Sequence, residues 1–177
     1  MNKTLEQLLL GNKKYLTECA YSGDITSTRR LDTSTNGQHP KAVVITCSDS
    51  RVVPEIIFNA GIGEIFVIRC AGNVMDDTIL GSIEYAVEHL HTDLVMVLGH
   101  SSCGAVTSTI KSTPTGFTKR ITDKIKDVIK EETDILKAVK INALSQVNII
   151  KRSINVAENV VICAAIYDIK TGEVEVL

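Results

Sequence analysis

Two short segments of the chain carry the side chains that could bind a metal ion. The first places Cys47, Asp49 and Arg51 at alternate positions, and the second places His100 and Cys103 three residues apart. Two thiolates and one neutral imidazole, with a fourth position left for water, are typical of catalytic zinc sites. Zinc in such a site makes its water ligand far more acidic than bulk water. The pattern therefore predicts one catalytic zinc per chain on Cys47, His100 and Cys103.

Asp49 and Arg51 form the second part of this pattern. Asp49 follows the first cysteine closely enough to reach the same space, and Arg51 can hold its carboxylate in a bidentate pair. A carboxylate held in this way has two possible roles. It could accept a hydrogen bond from zinc hydroxide and orient it toward substrate, or it could bind the zinc itself and close the site. The sequence leaves both roles open.

Each of these residues alone also has a simpler, structural interpretation. A cysteine at a strand end is usually a small core residue, and a histidine there is usually held by a hydrogen bond. An isolated Asp49–Arg51 pair would most often be a structural ion pair. The combination of the two segments at two strand ends of one sheet favours a functional site.

The elements that must position these residues follow from the hydrophobic pattern. Short β-branched runs predict strands at 42–46, 64–69 and 93–98, and helices are predicted at 54–59, 76–91 and 103–111. A helical region follows at 119–153 with a break near Thr133, and 159–177 predicts a strand, a turn at 170–172 and a short returning strand. This order predicts an α/β fold with a mainly parallel central sheet flanked by helices, an N-terminal helix and a C-terminal hairpin. The carboxyl ends of parallel strands form the crevice where ligands bind.

The N-terminal part of the chain is predicted to contain one helix followed by a loop. Apolar residues recur at helical spacing from Leu5 to Cys19, whereas 20–40 is polar and rich in Thr, Ser, Gly and Asn. We expect a single domain over 1–177, with the N-terminal helix and loop at 1–37 and the catalytic core at 38–177. Cys19 and Cys163 are expected to be core residues.

Composition excludes several classes of partner. The 177 residues include 19 basic and 21 acidic side chains, a formal charge of −2, which predicts no attraction to nucleic acid or to an anionic membrane. No apolar run approaches the roughly 20 residues of a membrane span. The first ten residues show no export signal, and five cysteines without one favour thiol or metal chemistry over disulfides. We therefore expect a cytoplasmic enzyme with a small-molecule substrate.

Four motifs over residues 38–110 together resemble the β-class carbonic anhydrases in order and spacing: ITCSDSRV, EIFVIRCAGN, GSIEYAVEHL and VLGHSSCGAV. The resemblance implies reversible hydration of CO₂ to bicarbonate and a proton, through attack by zinc hydroxide, with the Asp49–Arg51 dyad beside the zinc. It also implies a homodimer or tetramer whose clefts lie between subunits and are lined by Gln38, Phe66 and Tyr85.

Further expectations concern substrate contacts near the zinc. Gln38 would offer its amide to an oxygen of CO₂ or bicarbonate, and the backbone N–H of Gly104, near a helix start, would assist. Cys70 stands where the resembled family usually has Asn, so one polar contact near the site is expected to be missing. Two other functions fit these residues. One is a hydrolase of carbon disulfide or carbonyl sulfide on the same scaffold, and the other is a non-catalytic zinc or redox-sensing protein with Cys70 as a resolving thiol.

Overall fold

A five-stranded sheet forms the centre of the computed structural model, which describes residues 2–18 and 21–177. The strands are β1 (Ala42–Thr46), β2 (Ile65–Arg69), β3 (Leu94–His100), β4 (Val161–Tyr167) and β5 (Val174–Val176). They lie in the order β2-β1-β3-β4-β5. The first four are parallel, and β5 runs antiparallel to β4. The predicted α/β fold and its C-terminal hairpin are confirmed.

Seven α-helices surround this sheet in the described residues. They are α1 (Lys3–Glu18), α2 (Ser27–Asn36), α3 (Pro54–Ile57), α4 (Asp77–Glu88), α5 (Gly104–Lys111), α6 (Gly116–Ile129) and α7 (Ile135–Ser153). The break predicted near Thr133 is the connection between α6 and α7. Across residues 2–18 and 21–177, no helix has the length and apolar character needed to cross a bilayer. Cys19, expected in the core, lies outside the described residues.

The sheet is covered on both faces, which explains the continuous apolar runs of its central strands. On one face, alternate residues such as Val43 and Val95 pack against α4, α6 and α7. On the other face, Val44 and Met96 pack against α1 and the segment around α3. Every residue of β1 and β3 is buried. The strand that precedes Cys47 and the strand that ends in His100 are therefore buried along their whole length.

The prediction of a loop over 20–40 is wrong for the part that forms α2. Thr26 caps this helix by accepting a hydrogen bond from the Arg29 backbone N–H at 3.2 Å. Arg29 also pairs with Asp32 at 3.2 Å and donates to the Ile62 carbonyl at 2.8 Å. No residue of α2 is buried. Because the helix has no apolar stripe, hydrophobic periodicity could not reveal it.

Candidate metal centre

Three potential ligands meet where β1 and β3 end. Cys47 directly follows β1, His100 is the last residue of β3, and Cys103 is the N-cap of α5. Since β1 and β3 are parallel neighbours, their carboxyl ends lie side by side. The ligand atoms of the three residues lie within 4.8 Å of one another, and all three residues are buried. The structure thus brings together the three residues predicted to bind zinc.

The ring of His100 is oriented for metal binding. Its Nδ1 lies 3.0 Å from the Ser101 carbonyl oxygen, which can only accept a hydrogen bond, so Nδ1 carries the proton. Its Nε2 is buried and has no hydrogen-bond partner in the described part of the chain. A buried polar atom without a partner is costly. A metal ion bound to the free lone pair of Nε2 would remove that cost, and the backbone bond at Nδ1 would fix the ring.

The two cysteine sulfurs supply the anionic part of the site. The Cys47 sulfur accepts a hydrogen bond from the Gly72 N–H at 3.3 Å. Its neighbour Cys103 lowers the pKa of Cys47, whereas Cys47 and burial raise the pKa of Cys103. Binding of a dication between the two sulfurs would displace the thiol protons. Two thiolates and one imidazole nitrogen are a donor set that fits zinc.

A sharp turn between β3 and α5 sets the spacing of His100 and Cys103. Ser102 adopts a φ of +57°, in the left-handed region. Ser101 anchors the turn to the next strand: its N–H donates to the Tyr167 carbonyl at 2.9 Å, and its Oγ accepts from the Ile169 N–H at 2.9 Å. The ligand pair is thus held by one backbone and one side-chain hydrogen bond of Ser101 to the residues around the end of β4.

Asp49 and Arg51 form the predicted bidentate pair. Arg51 Nε donates to Asp49 Oδ1 at 2.9 Å, and Arg51 Nη2 donates to Oδ2 at 2.7 Å. The Arg51 backbone N–H adds a third bond, to Oδ1 at 3.0 Å. The hydrogen bond from Arg51 holds the pKa of Asp49 well below its usual range. The Asp49 carboxylate is therefore ionised, and both of its oxygens accept hydrogen bonds from Arg51.

Arg69 supports the Cys47–Asp49 segment, a role that sequence analysis missed. Its Nη2 donates to the Asp49 carbonyl at 2.8 Å and its Nε to the Cys47 carbonyl at 3.3 Å. Arg69 is the last residue of β2, opposite Thr46. A cation at the end of the neighbouring strand was the only sequence signal for this contact.

A buried polar chain on α7 fixes the turn that follows β2, and this was also missed. Asn142 Nδ2 donates to the Gly72 carbonyl at 2.9 Å, and Gln146 Nε2 donates to Asn142 Oδ1 at 3.0 Å. Gln146 Oε1 accepts from the Met75 N–H at 2.9 Å. The turn holds Gly72, whose N–H contacts Cys47. The available signal was a pair of amides four residues apart within an apolar helix.

The structure does not bring Gln38, Phe66 and Tyr85 to the ligands of their own chain. Gln38 is exposed and precedes the amino end of β1. Phe66 lies opposite Val43, which is four residues, or about 13 Å of extended strand, before Cys47. The rings of Phe66 and Tyr85 lie 6.4 Å apart. These three residues thus lie toward the amino end of the sheet, whereas the metal ligands lie at its carboxyl end.

Gly104 and Cys70 lie next to the candidate ligands in the chain. Gly104 is the first residue of α5, so its N–H has no partner within the helix. Cys70 directly follows β2, and its thiol donates to the Val74 carbonyl at 3.1 Å. Burial is the main cause that raises the pKa of Cys70 to about 11. Cys70 is therefore a neutral thiol beside the site.

Comparison with known proteins identifies relatives of this chain. A family model described as carbonic anhydrase matches residues 42–174. A carbonic anhydrase of Mycolicibacterium smegmatis is 49% identical over 96 residues, which are 51% of this chain and 47% of that protein. The chain thus spans about half the length of the curated relatives it matches.

Solved structures share the fold. One of two tetrameric β-carbonic anhydrases from the filamentous ascomycete Sordaria macrospora aligns with a TM-score of 0.75 at 23% identity, over 99% of this chain and 98% of that chain. A carbon disulfide hydrolase in its apo form aligns with a TM-score of 0.57 at 17% identity, over 84% of this chain and 86% of that chain. At these identities the likeness concerns the fold alone.

Proposed function

The chain belongs to the β-carbonic anhydrase family, and we propose that it is a zinc-dependent carbonic anhydrase, which converts CO₂ and water reversibly into bicarbonate and a proton. One observation carries this proposal. The donor atoms of Cys47, His100 and Cys103 converge within 4.8 Å, with the free Nε2 of His100 among them. Next to them, Asp49 is ionised and held by Arg51.

Cys47, His100 and Cys103 would hold the zinc, one ion per chain. Zinc bound there would act as a Lewis acid that lowers the pKa of a water ligand, so that a nucleophile for CO₂ forms near neutral pH. Asp49 would orient that nucleophile, because an ionised carboxylate can only accept hydrogen bonds. The O–H of the attacking group would point to Asp49, which leaves a lone pair directed at CO₂.

Arg51 would decide between the two roles left open for Asp49. Both carboxylate oxygens of Asp49 accept hydrogen bonds from Arg51. This arrangement supports the orienting role, since a carboxylate engaged in this way is not free to bind the metal. Arg51 would thereby keep the space beside Cys47, His100 and Cys103 open to water.

A second copy of the chain would complete the substrate cleft. Gln38, Phe66 and Tyr85 lie toward the amino end of the sheet, so we infer that they serve the metal centre of a partner in a homodimer or a tetramer. The side-chain N–H of Gln38 would then donate a hydrogen bond to an oxygen of CO₂ or bicarbonate, and the Gly104 N–H would donate a second one. A single catalytic domain over 1–177, a cytoplasmic location and the absence of nucleic-acid partners stay predictions.

Stopped-flow CO₂ hydration by the zinc-loaded protein tests this proposal. We expect hydration that rises from neutral toward alkaline pH and is lost when a chelator removes the zinc. Parallel assays on carbon disulfide and carbonyl sulfide separate the alternative substrates, because a hydrolase on this scaffold would prefer them to CO₂. Full zinc occupancy under reducing conditions, with no turnover of any of the three, would instead indicate a non-catalytic zinc protein.

A further inference from the structure

Cys47 and Cys70 occupy neighbouring positions at the ends of two paired strands. The parallel register pairs Thr46 with Arg69. The residues that follow them, Cys47 and Cys70, therefore form the next pair. The pairing continues to this point, because the Cys70 N–H donates to the Thr46 carbonyl at 3.1 Å. Neighbouring strands lie about 4.8 Å apart. That separation falls within the roughly 4.4–6.8 Å between Cα atoms that a disulfide can span.

The two side chains also lie on the same face of the sheet. Cys47 belongs to the core cluster beneath α4, α6 and α7, and Cys70 packs against that cluster. Their sulfurs contact the same turn: that of Cys47 accepts from the Gly72 N–H at 3.3 Å, and that of Cys70 donates to the Val74 carbonyl at 3.1 Å. Both sulfurs therefore face the turn at 72–74.

We propose that the Cys47–Cys70 pair is a redox modification site, at which a peroxide forms a disulfide that dismantles the metal centre reversibly. This inference rests on the proposed function, since Cys47 is one of the proposed zinc ligands. Hydrogen peroxide gives one oxygen to the Cys47 sulfur, its O–O bond breaks, and water leaves. The Cys70 sulfur then attacks the sulfenic sulfur, the S–O bond breaks, and the Cys70 proton leaves in a second water. Two thiols lose two electrons, and the peroxide becomes two waters.

Disulfide formation would remove a ligand and leave the other two in place. A disulfide sulfur carries no negative charge, so only His100 and Cys103 would remain to hold the ion. Cys103 is the competing partner for Cys47, because the two sulfurs lie within 4.8 Å of each other. In the zinc-loaded protein Cys103 would be engaged as a ligand, whereas Cys70 stays a free thiol next to Cys47. Reduction with a dithiol would restore the ligand set.

The test treats the zinc-loaded protein with hydrogen peroxide. Released zinc is measured with a chromogenic chelator, and the disulfide is located by mass spectrometry after free thiols are blocked with iodoacetamide. Trypsin alone leaves Cys70 and Cys103 in one peptide, 70–111, so a second protease that cuts after Glu84 and Glu88 is needed. We expect a link between the 42–51 peptide and the Cys70 peptide, loss of bound zinc, and recovery with dithiothreitol and added zinc.

Two variants give matched controls. Cys70→Ser should lose the linked peptide and the reversible release of zinc, whereas Cys163→Ser, which removes a thiol on β4, should behave as the wild type. A link from Cys47 to Cys103 alone, or equally reversible zinc release from Cys70→Ser, would overturn the proposal. If Cys70→Ser does not fold, the peptide map of the wild type still tests the proposal, because the Cys47–Cys70 link must appear in it after peroxide treatment.

Zinc content and CO₂ hydration measured before peroxide separate this inference from the proposed function. A protein that binds zinc and hydrates CO₂ but forms no Cys47–Cys70 link overturns only the redox site. A protein that forms the link without ever binding zinc overturns the proposed function.

Discussion

The two ends of the parallel sheet differ in how much of a site one chain contains. At the carboxyl ends of β1 and β3, three buried ligands converge within 4.8 Å. Toward the amino end, Gln38 is exposed and Phe66 with Tyr85 forms an aromatic pair on the β2 side of the sheet. We infer that one chain encodes the metal centre, whereas the substrate cleft is encoded across two copies.

The supporting contacts differ in the same way. Backbone groups hold the metal end: the Gly72 N–H bonds the Cys47 sulfur and the Ser101 carbonyl bonds the His100 ring. Such contacts fix ligand geometry within one chain before any ion binds. In contrast, Tyr85 has nearly half of its surface exposed although its ring could bury a large apolar area. That exposure is what we expect of a residue that completes its contacts in a dimer.

The largest effect should come from removing one ligand at the metal end. Cys47→Ser replaces a thiolate with a weakly binding hydroxyl, so we expect loss of the bound zinc and of activity. Because the ligands come from separate strand ends, zinc should also stabilise the fold. The melting temperature of Cys47→Ser should therefore match that of the chelated wild type. Metal analysis checks the first part and thermal unfolding the second.

Cys163→Ser is the matched control for this prediction. Cys163 lies on β4, away from the ligand cluster, so the zinc content of the Cys163→Ser protein should equal that of the wild type. Unchanged zinc in Cys47→Ser would contradict the ligand assignment.

The next effect concerns the dyad beside the metal. Arg51→Ala frees the Asp49 carboxylate to bind the zinc, so we expect CO₂ hydration to fall about 100-fold or more. Zinc should stay bound. Asp49→Ala should also keep its zinc but lose rate, because the orienting hydrogen bond is gone. Stopped-flow rates and metal content on the same samples check both variants.

A surface ion pair provides the control for Arg51→Ala. Lys119 and Asp123 lie 2.7 Å apart on the exposed side of α6. Lys119→Ala breaks this pair and should leave the rate unchanged. Wild-type rates in Arg51→Ala at full zinc occupancy would reduce the dyad to a structural ion pair.

A smaller effect should come from the amino end. Gln38→Ala removes one hydrogen bond to substrate, so we expect a loss of about tenfold in kcat/KM, with zinc retained. If Gln38 acts on a partner's metal centre, a mixed dimer of Gln38→Ala and Arg51→Ala holds one cleft with both residues intact. Co-expression with two affinity tags isolates that mixed dimer. Its rate should recover to about half of the wild-type value.

The same experiment can contradict the two-chain cleft. If Gln38 served its own chain, each cleft of the mixed dimer would carry one defect, and the rate would stay at the mean of the two variants. Light scattering offers a second check, because an active species of 19.3 kDa would exclude a cleft shared between chains.

The sequence predicted those features that leave a local pattern. The strands β1 and β3 are apolar throughout because both faces of the sheet are covered, and parallel order brings their ends together. That is why the sequence could predict that Cys47 and His100, which are 53 positions apart, lie close together. The helix α2 was missed because capping and ion pairs, rather than an apolar stripe, hold it.

Contacts to the backbone left no such pattern. Arg69 donates to two carbonyls, and Asn142 donates to the carbonyl of Gly72. A carbonyl is present at every residue, so these acceptors do not show in the side-chain sequence. The cleft residues Gln38, Phe66 and Tyr85 could not be placed for another reason. Their position relative to a partner's metal depends on how two copies assemble. Only the resemblance to a family indicated their role.

The smallest effect should be that of Arg51 on the stability of the fold. Arg51 lowers the pKa of Asp49 in the folded chain below its unfolded value of about 4. The pair therefore stabilises the fold above that pH, and this contribution is lost as the pH falls through the lower, folded pKa. Because the Arg51 side chain is 51% exposed, solvent screens the pair and the gain in stability should be small.

Urea unfolding of the zinc-free proteins measures this contribution without any gain from metal binding by Asp49. The unfolding free energy of Arg51→Ala should lie slightly below that of the wild type from pH 8 to pH 5 and approach it below about pH 4. Asp49→Ala should show the same small loss, and the double variant should add little to either. A loss of several kcal/mol, or one that grows as the pH falls, would make Arg51 a structural support of the fold. A small loss of stability in Arg51→Ala, together with a large loss of CO₂ hydration rate, would instead show that the dyad acts in the chemistry at the metal centre rather than in folding.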